Sequence, residues 1–551
     1  MTRQLPPSSK ISAIEESTVA QLQSAMASGE LSAADLVAYY IARIDEFDSA
    51  LNAFITVNKQ APSAADELDK ERAGGHVRSA LHGIPIVIKD NINTADMPTT
   101  GGCLALSKLQ PAQDAFVVAQ LRKAGAIILG KANLHELACS GESVSSLGGQ
   151  VRNPYSLEHT PGGSSGGTAV AIAANLAVCG LGSDTINSVR SPASACNIVG
   201  LRPTLGRVSR SGLMPVSLNQ DVIGPMGRTV EDVAALLEII SESDPNDPMT
   251  ARSVGHSSVA QPSTSGKNHY GKSLSKDGLS EKRIGIVADL WGHDPVHAGV
   301  NQLASSALSS MESLGAQTVE LAVHVDIEQM LSEFSLNLWE GSLHLNQYLE
   351  SMGESAPVKT LEDLLKTNNV HPSIVPTLEK MASVDTPLGS SEYWQRLYPR
   401  RVQLRKLLTH LFQQYQLDAL VYPHQKRPVA RIGERQQERN GFLAAACGFP
   451  AITFPVGFVT EGKSELPVGI ELMAQPFEEK KLLQMAYAYE QAVQPRRKPH
   501  LNGATAIRDS DTSKTTPKEQ TDAQHSTSKG KSSRRPQPRR AKSEKISPDK
   551  I

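Results

Sequence analysis

The chain has 551 residues, enough for a large buried core or several domains, and its formal net charge is only −2. Charged residues make up 20% and aromatic residues 4%. That balance argues against a nucleic-acid-binding surface or a base-stacking platform. The charge is uneven: from Arg508 onward there are 12 Lys/Arg against 6 Asp/Glu, and before it 43 against 51. A mildly acidic body with a basic appendage is the reading.

Residues 1–16 are polar and lack the apolar stretch of a secretory signal, so a flexible N-terminal segment is expected. Glu15 to Ile44 then reads as two helices. Thr18 is placed to cap the first. Ser32 and Asp35 form a capping box for the second, with Leu36, Tyr39, Tyr40 and Ile44 on one face. Gly83–Ile88 is a short β-rich run that ends at Lys89. Ala115–Ala124 reads as a helix and Ala126–Leu129 as a buried strand. This alternation gives an α/β class.

Gly162–Gly167 is a glycine-serine loop, followed by a helix over Thr168–Leu176 and a strand over Ala177–Gly182. Val230–Ile240 is an amphipathic helix, with Val233, Leu236, Leu237 and Ile240 on one side. Asp244–Glu281 is Ser/Pro/Gly/Asn-rich and reads as an exposed insertion. Strand-like pieces return at Ile284–Val287, Leu417–Tyr422 and Pro450–Pro455. From Gly503 the chain is a Ser/Thr/Lys/Arg/Pro-rich tail expected to be disordered, with Arg534, Arg535, Arg539 and Arg540 as a basic cluster. The catalytic body is therefore expected over 17–502 and the tail over 503–551.

Five cysteines (Cys103, Cys139, Cys179, Cys196, Cys447) are an odd number without C-x-x-C spacing, which reads as free thiols in a reducing compartment. No run approaches ~20 apolar residues, so no membrane span is expected, and the location is read as cytoplasmic, with a nuclear address open through the basic tail. The histidines lack the spacing of a zinc site. No metal and no organic cofactor is expected.

The chemistry concentrates in three segments. Lys89 closes an apolar strand, where burial would disfavour its charged form and make it a base. Pro161–Gly167 (PGGSSGG) and Gly182–Arg190 (GSDTINSVR) supply serines and a glycine-rich backbone able to approach an oxyanion. Serine needs a base to become a nucleophile. Taken singly, each feature is more often a surface charge, a flexible turn or an ordinary serine. Residues 162–166 also fit G-x-S-x-G, but the nucleophile elbow needs a strand before it and Tyr155–Pro161 reads as a loop. The glycine loop lacks the G-K-[ST] ending of a phosphate-binding loop.

GGSSGG followed by GSDTINSVRSPASACNIVGLRPTLGRVSRSGLMPV closely resembles the amidase signature. HGIPIVIKDNI around Lys89, ILGKAN over Ile128–Asn133 and GFPAITFP over Gly448–Pro455 match further blocks of that family, in order, from about Ser17 to Pro499. The resemblance implies an amidase signature fold, with one large mixed β-sheet flanked by helices on both faces. It also implies a hydrolase of non-peptide linear amide C–N bonds. Ser188 would be the nucleophile, Ser164 the bridging serine on a cis peptide bond, and Lys89 the base. The backbone N–H groups of Thr185, Ile186, Asn187 and Ser188 would form the oxyanion hole. Ser165, Asp184 and Arg190 would support the loops.

One departure stands out: Ile186-Asn187 replaces the two glycines common before the nucleophile. Asn187 is expected to take any glycine-like conformation, and the larger side chains to narrow the pocket. Pro215–Met226 resembles the stand-alone amidase branch, which includes peptide-amide hydrolases. The substrate is thus expected to be a small-molecule amide. Two alternatives remain at this level: the glutamine-hydrolysing subunit of a tRNA-dependent amidotransferase, and a noncatalytic protein that kept the fold. Trp339, Tyr393 and Trp394 are weak candidates for the pocket wall. A homodimer is one assembly left open, and the tail's partner is unspecified.

Overall fold

In the computed structural model, which describes residues 8–253, 270–384 and 387–501, the apolar run before Lys89 is an interior strand of the main sheet. Thirteen strands follow one another along the described residues. They are β1 Phe54–Val57, β2 Pro85–Lys89, β3 Ile127–Ala132, β4 Val144–Ser145, β5 Gly149–Gln150, β6 Cys179–Asp184, β7 Val199–Arg202, β8 Val222–Gly227, β9 Arg283–Val287, β10 Gln317–Leu321, β11 Ala419–Pro423, β12 Ala451–Glu461 and β13 Ser464–Met473. All but the β4–β5 hairpin join one 11-stranded sheet, in the order β1-β3-β2-β6-β8-β7-β12-β13-β11-β9-β10.

The sheet is mixed. β2 runs parallel to both β3 and β6, and β9 parallel to both β10 and β11, while antiparallel pairs fill the middle. Strands buried on both faces read as continuous apolar runs, which is why PIVIK and CGLGSD show no polar alternation; every residue of β2 and β6 is buried.

Both faces carry helices. Phe454 on β12 stacks on Tyr489 of the helix Glu479–Val493, with ring centroids 5.3 Å apart. A Cβ on Gly469, which pairs with Pro455, would lie 2.9 Å from the Cβ of Ser194 in the helix Arg190–Ala195. Residues 454 and 455 point to opposite faces, so the two helices lie on opposite sides.

The two N-terminal helices are Val19–Ala27 and Ala33–Leu51. Thr18 and Gln21 form a reciprocal capping box at the first, and Ser32 and Asp35 one at the second. Each such cap contributes about 1 kcal/mol. Leu36, Tyr39, Tyr40 and Ile44 are all buried. The helix after the glycine loop is Gly166–Ala173, beginning two residues before the expected start.

Two stretches expected to be loose are partly anchored. Ser8–Ile14 is a helix, and Ile14 is fully buried. Glu16 pairs with Arg496 at 2.7 Å and ties the N-terminal segment to the end of the described chain. The apolar Ile11 and Ile14 supply the packing that the polar composition masked. Within 244–281, Asp247 binds Arg210 at 2.5 Å and Tyr270 and Leu279 are fully buried, so both ends of the insertion belong to the body. Its centre (254–269), residues 1–7 and the tail from 502 onward with its basic cluster lie outside the described residues. Among the described residues no helix is long and apolar enough to cross a membrane.

Candidate active site

β2 delivers Lys89 at its C-terminal end, between β3 and β6, with no exposed surface. Its Nζ donates to Ser164 Oγ at 2.7 Å and to Ser183 Oγ at 2.8 Å. Asn91 Nδ2 also donates to Ser183 Oγ, at 3.0 Å. Burial pushes the Lys89 pKa down to about 7, against the opposing pull of the Asp184 and Asp221 carboxylates.

Ser164 follows a cis Gly163–Ser164 peptide bond, at the position where the resemblance implied one. It is fully buried, and its carbonyl accepts from the His135 amide at 3.0 Å. The loop packs without room for side chains: a Cβ on Gly163 would lie 2.8 Å from the carbonyl carbon of Gly141, and one on Gly167 would lie 2.2 Å from the Asn133 carbonyl oxygen. The segment before the loop is irregular rather than a strand, so this is no nucleophile elbow.

Ser165 joins the two serine loops. Its Oγ donates to the Ser183 carbonyl at 3.1 Å, and its amide donates to the Ser188 carbonyl at 3.1 Å. β6 then feeds Asp184 and the turn that carries Thr185 to Ser188. Ser188 is 7% exposed, and its side chain hydrogen-bonds to nothing among the described residues. None of the amides of Thr185, Ile186, Asn187 and Ser188 donates to a protein acceptor among the described residues. The turn that carries Ser188 thus holds four N–H groups with no acceptor among the described residues.

The turn is held from outside by buried ions. Asp184 accepts from the Val189 amide, from Arg190 Nε and Nη2 at 3.1 Å, and from Arg202 Nη1 at 2.8 Å. Burial alone would raise its pKa, but the two guanidinium groups hold this carboxyl well below the usual range. Arg190 Nη2 also donates to the Ile186 carbonyl at 2.7 Å, and Nη1 reaches Glu471 on β13 at 2.5 Å. Glu471 in turn accepts from Tyr422 at 2.8 Å and contacts His424 Nδ1 at 2.6 Å. Thr185 Oγ1 donates to Asp221 at 2.6 Å.

Neither Ile186 nor Asn187 has a positive φ, contrary to the expectation for Asn187. The grip of Arg190 on the Ile186 carbonyl holds the turn in a conformation that any residue adopts, so glycine is not required there. Asn187 instead packs beside Gly441, where an added Cβ would meet the Asn187 Cβ at 2.8 Å. Ile186 and Asn187 line a cleft of about 620 Å³ together with residues of 326–331 and 426–442.

The same order of segments is found in known proteins. The model of the Amidase family matches residues 35–483. The chain belongs to the amidase signature family. A glutamyl-tRNA(Gln) amidotransferase subunit from Geobacillus thermodenitrificans is 35% identical over 86% of this chain and 97% of its own. The solved peptide amidase of Stenotrophomonas maltophilia is 36% identical, with a TM-score of 0.78 over 89% of this chain and 99% of its own. The corresponding glutamyl-tRNA(Gln) amidotransferase subunit from Thermotoga maritima, also solved, is 28% identical, with a TM-score of 0.67 over 88% and 98%. The chain is therefore an amidase-family hydrolase by descent and fold.

Within this amidase framework the structure brings Lys89, Ser164, Ser165, Asp184, Arg190 and Ser188 together. None of the weak pocket candidates is among the residues that line the cleft beside Ile186 and Asn187. Tyr393 donates to Glu340 at 2.9 Å, Trp339 stacks near Tyr393 at 6.3 Å, and Trp394 is 47% exposed. Ser183, Asp221, Arg202, Glu471 and His424 join the site without having been expected from the sequence. Ser183 lies inside GSDTINSVR and Arg202 inside the signature block. Glu471 and His424 have no local signal, because Glu471's partner Arg190 is 281 residues away in sequence and His424 reaches the site only through Glu471, 47 residues from it.

Proposed function

We propose that the chain hydrolyses carboxylic amides through an acyl-enzyme on Ser188. Neutral Lys89 takes the proton of Ser164 as Ser164 takes that of Ser188. Ser188 Oγ attacks the amide carbon, and the oxyanion is received by the amides of Thr185 to Ser188. Ser164 returns a proton to the leaving nitrogen, and the C–N bond breaks to release ammonia or an amine. Water then attacks the acyl-enzyme by the same relay in reverse, freeing the acid and regenerating Ser188. The observation that carries this reading is the fully buried Lys89, 2.7 Å from Ser164 and titrating near 7, where a general base works best.

The preferred substrates are small organic or peptide C-terminal amides, supported by a closer likeness to the peptide amidase than to the solved amidotransferase subunit from Thermotoga maritima. A second reading, glutamine hydrolysis on behalf of an amidotransferase complex, is favoured by the identity to the Geobacillus thermodenitrificans protein.

The test is ammonia release from aliphatic, aryl, peptide C-terminal and glutamine amides by wild type and by Ser188→Ala of matched fold. Loss of turnover in the variant supports the mechanism. Turnover that survives Ser188→Ala would sink it, and dependence on an added amidotransferase partner would move the assignment to the second reading.

A further inference from the structure

Arg439 lies in the 426–442 segment that walls the cleft beside the nucleophile turn. Its guanidinium forms no hydrogen bond and no ion pair among the described residues, and its Nη1 is buried without a partner. The arginines that brace the nucleophile turn are engaged: Arg190 with Asp184 and Glu471, and Arg202 with Asp184. The carboxylate that acts on Arg439, Glu142, is occupied, accepting from Ser140 Oγ at 2.7 Å, the Gly141 amide at 3.1 Å and the Gln436 amide at 3.2 Å.

Position ties this unused cation to the reaction centre. A Cβ on Gly141 would lie 1.7 Å from Arg439 Nη1, and the same Gly141 backbone packs on Gly163, the residue before Ser164. Two residues beyond Arg439, Gly441 packs on Asn187, the residue before Ser188. Arg439 is thus linked to the Ser164 loop through Gly141, and its own segment to the Ser188 turn through Gly441. It also forms an antiparallel bridge with Gln425, so the two side chains share a face. Both polar atoms of the Gln425 side chain are buried and unpartnered as well. Arg439 is half-buried, with one guanidinium nitrogen buried and unmatched, and a carboxylate is the best planar partner for such a group, bound through two parallel N–H donors.

We infer that Arg439 is a specificity-determining residue that binds a carboxylate borne by the amide substrate, with the amide carbon at Ser188 and the carboxylate at the far side of the cleft. This rests on the hydrolytic reading above and narrows it to amides such as the monoamides of dicarboxylic acids.

The experiment compares kcat/KM for succinamate, glutaramate and adipamate with that for neutral n-alkyl amides of matched length, in wild type, Arg439→Met and Arg439→Lys. Wild type is expected to favour at least one carboxylate-bearing amide by tenfold or more. Arg439→Met should lose at least tenfold more on that amide than on its neutral match, through KM, with Arg439→Lys between the two. Equal treatment of the pair by wild type, or an equal fall on both in Arg439→Met, would overturn the assignment. Calorimetric titration of glutarate into wild type and Arg439→Met separates this from the hydrolytic reading. Binding lost in the variant upholds the subsite even without turnover; no binding to wild type rejects it. Circular dichroism of the variants checks that they fold.

Discussion

Lys89 Nζ and Ser164 Oγ lie 2.7 Å apart with neither residue exposed to solvent. The ammonium form of Lys89 is disfavoured there because burial removes its hydration, and this sets two pH-dependent behaviours.

The first is catalytic. With a Lys89 pKa near 7, kcat/KM should rise with pH through about 7 and level off above it. Lys89→Met should lower kcat by about a thousandfold or more, in line with removal of a general base and its relay. A pH–rate profile with no ascending limb between about pH 6 and 8 would contradict the role of Lys89.

The second is thermodynamic. The folded pKa of Lys89, about 7, lies below its ordinary value of 10.5, so between these values the unfolded chain binds the extra proton. Stability therefore rises with pH across that window, and the penalty for burying the charge is fully present below pH 7. Urea denaturation of wild type and Lys89→Met at about pH 7 and about pH 10 should show wild type gaining on the variant at the higher pH.

Arg190 and Glu471 form a buried ion pair at 2.5 Å that couples the nucleophile turn to β13. Removing one partner of a buried pair costs about 3–5 kcal/mol. Glu471→Ala should show that order of loss, softened by the remaining Asp184 contact. It should also lower kcat, because Arg190 positions the Ile186 carbonyl. Equilibrium denaturation and kinetics on the same preparation test both effects.

Ile186 and Asn187 sit at the cleft wall with negative φ. Replacing both with glycine should cost roughly 1–2 kcal/mol through the added freedom of the unfolded chain. It should also widen the cleft, so that kcat/KM for bulky amides rises relative to that for acetamide. A ratio unchanged by the double substitution would show that these side chains do not restrict access.

Gly167→Ala would place a methyl group 2.2 Å from the Asn133 carbonyl oxygen and 2.5 Å from that of Ala53. Both are backbone atoms, so relief requires moving β-sheet connections. A loss of about 1–3 kcal/mol or more is expected, read as a lower melting temperature.

Much of the architecture was legible because its causes are local. The cap at Thr18 and the capping box at Ser32 need only residues three apart. Strand β2 needs only a short apolar run, and the glycine-serine loops announce tight backbone by composition alone. The candidate triad was legible through resemblance, since Lys89, Ser164 and Ser188 each sit inside a recognisable block. The helix at Ser8–Ile14 was not, because its two isoleucines are diluted by polar neighbours.

Sequence by itself determined the α/β class, the strand that ends at Lys89, the two serine loops and the family. These follow from short-range periodicity, turn chemistry and contiguous motifs. Only the tertiary structure decided how Asp184, Arg190 and Glu471 brace the turn, why Ile186-Asn187 needs no glycine, and that Arg439 is left without a partner among the described residues. Those outcomes depend on burial and on charges brought together from distant parts of the chain, and neither quantity exists until the sheet has closed over them.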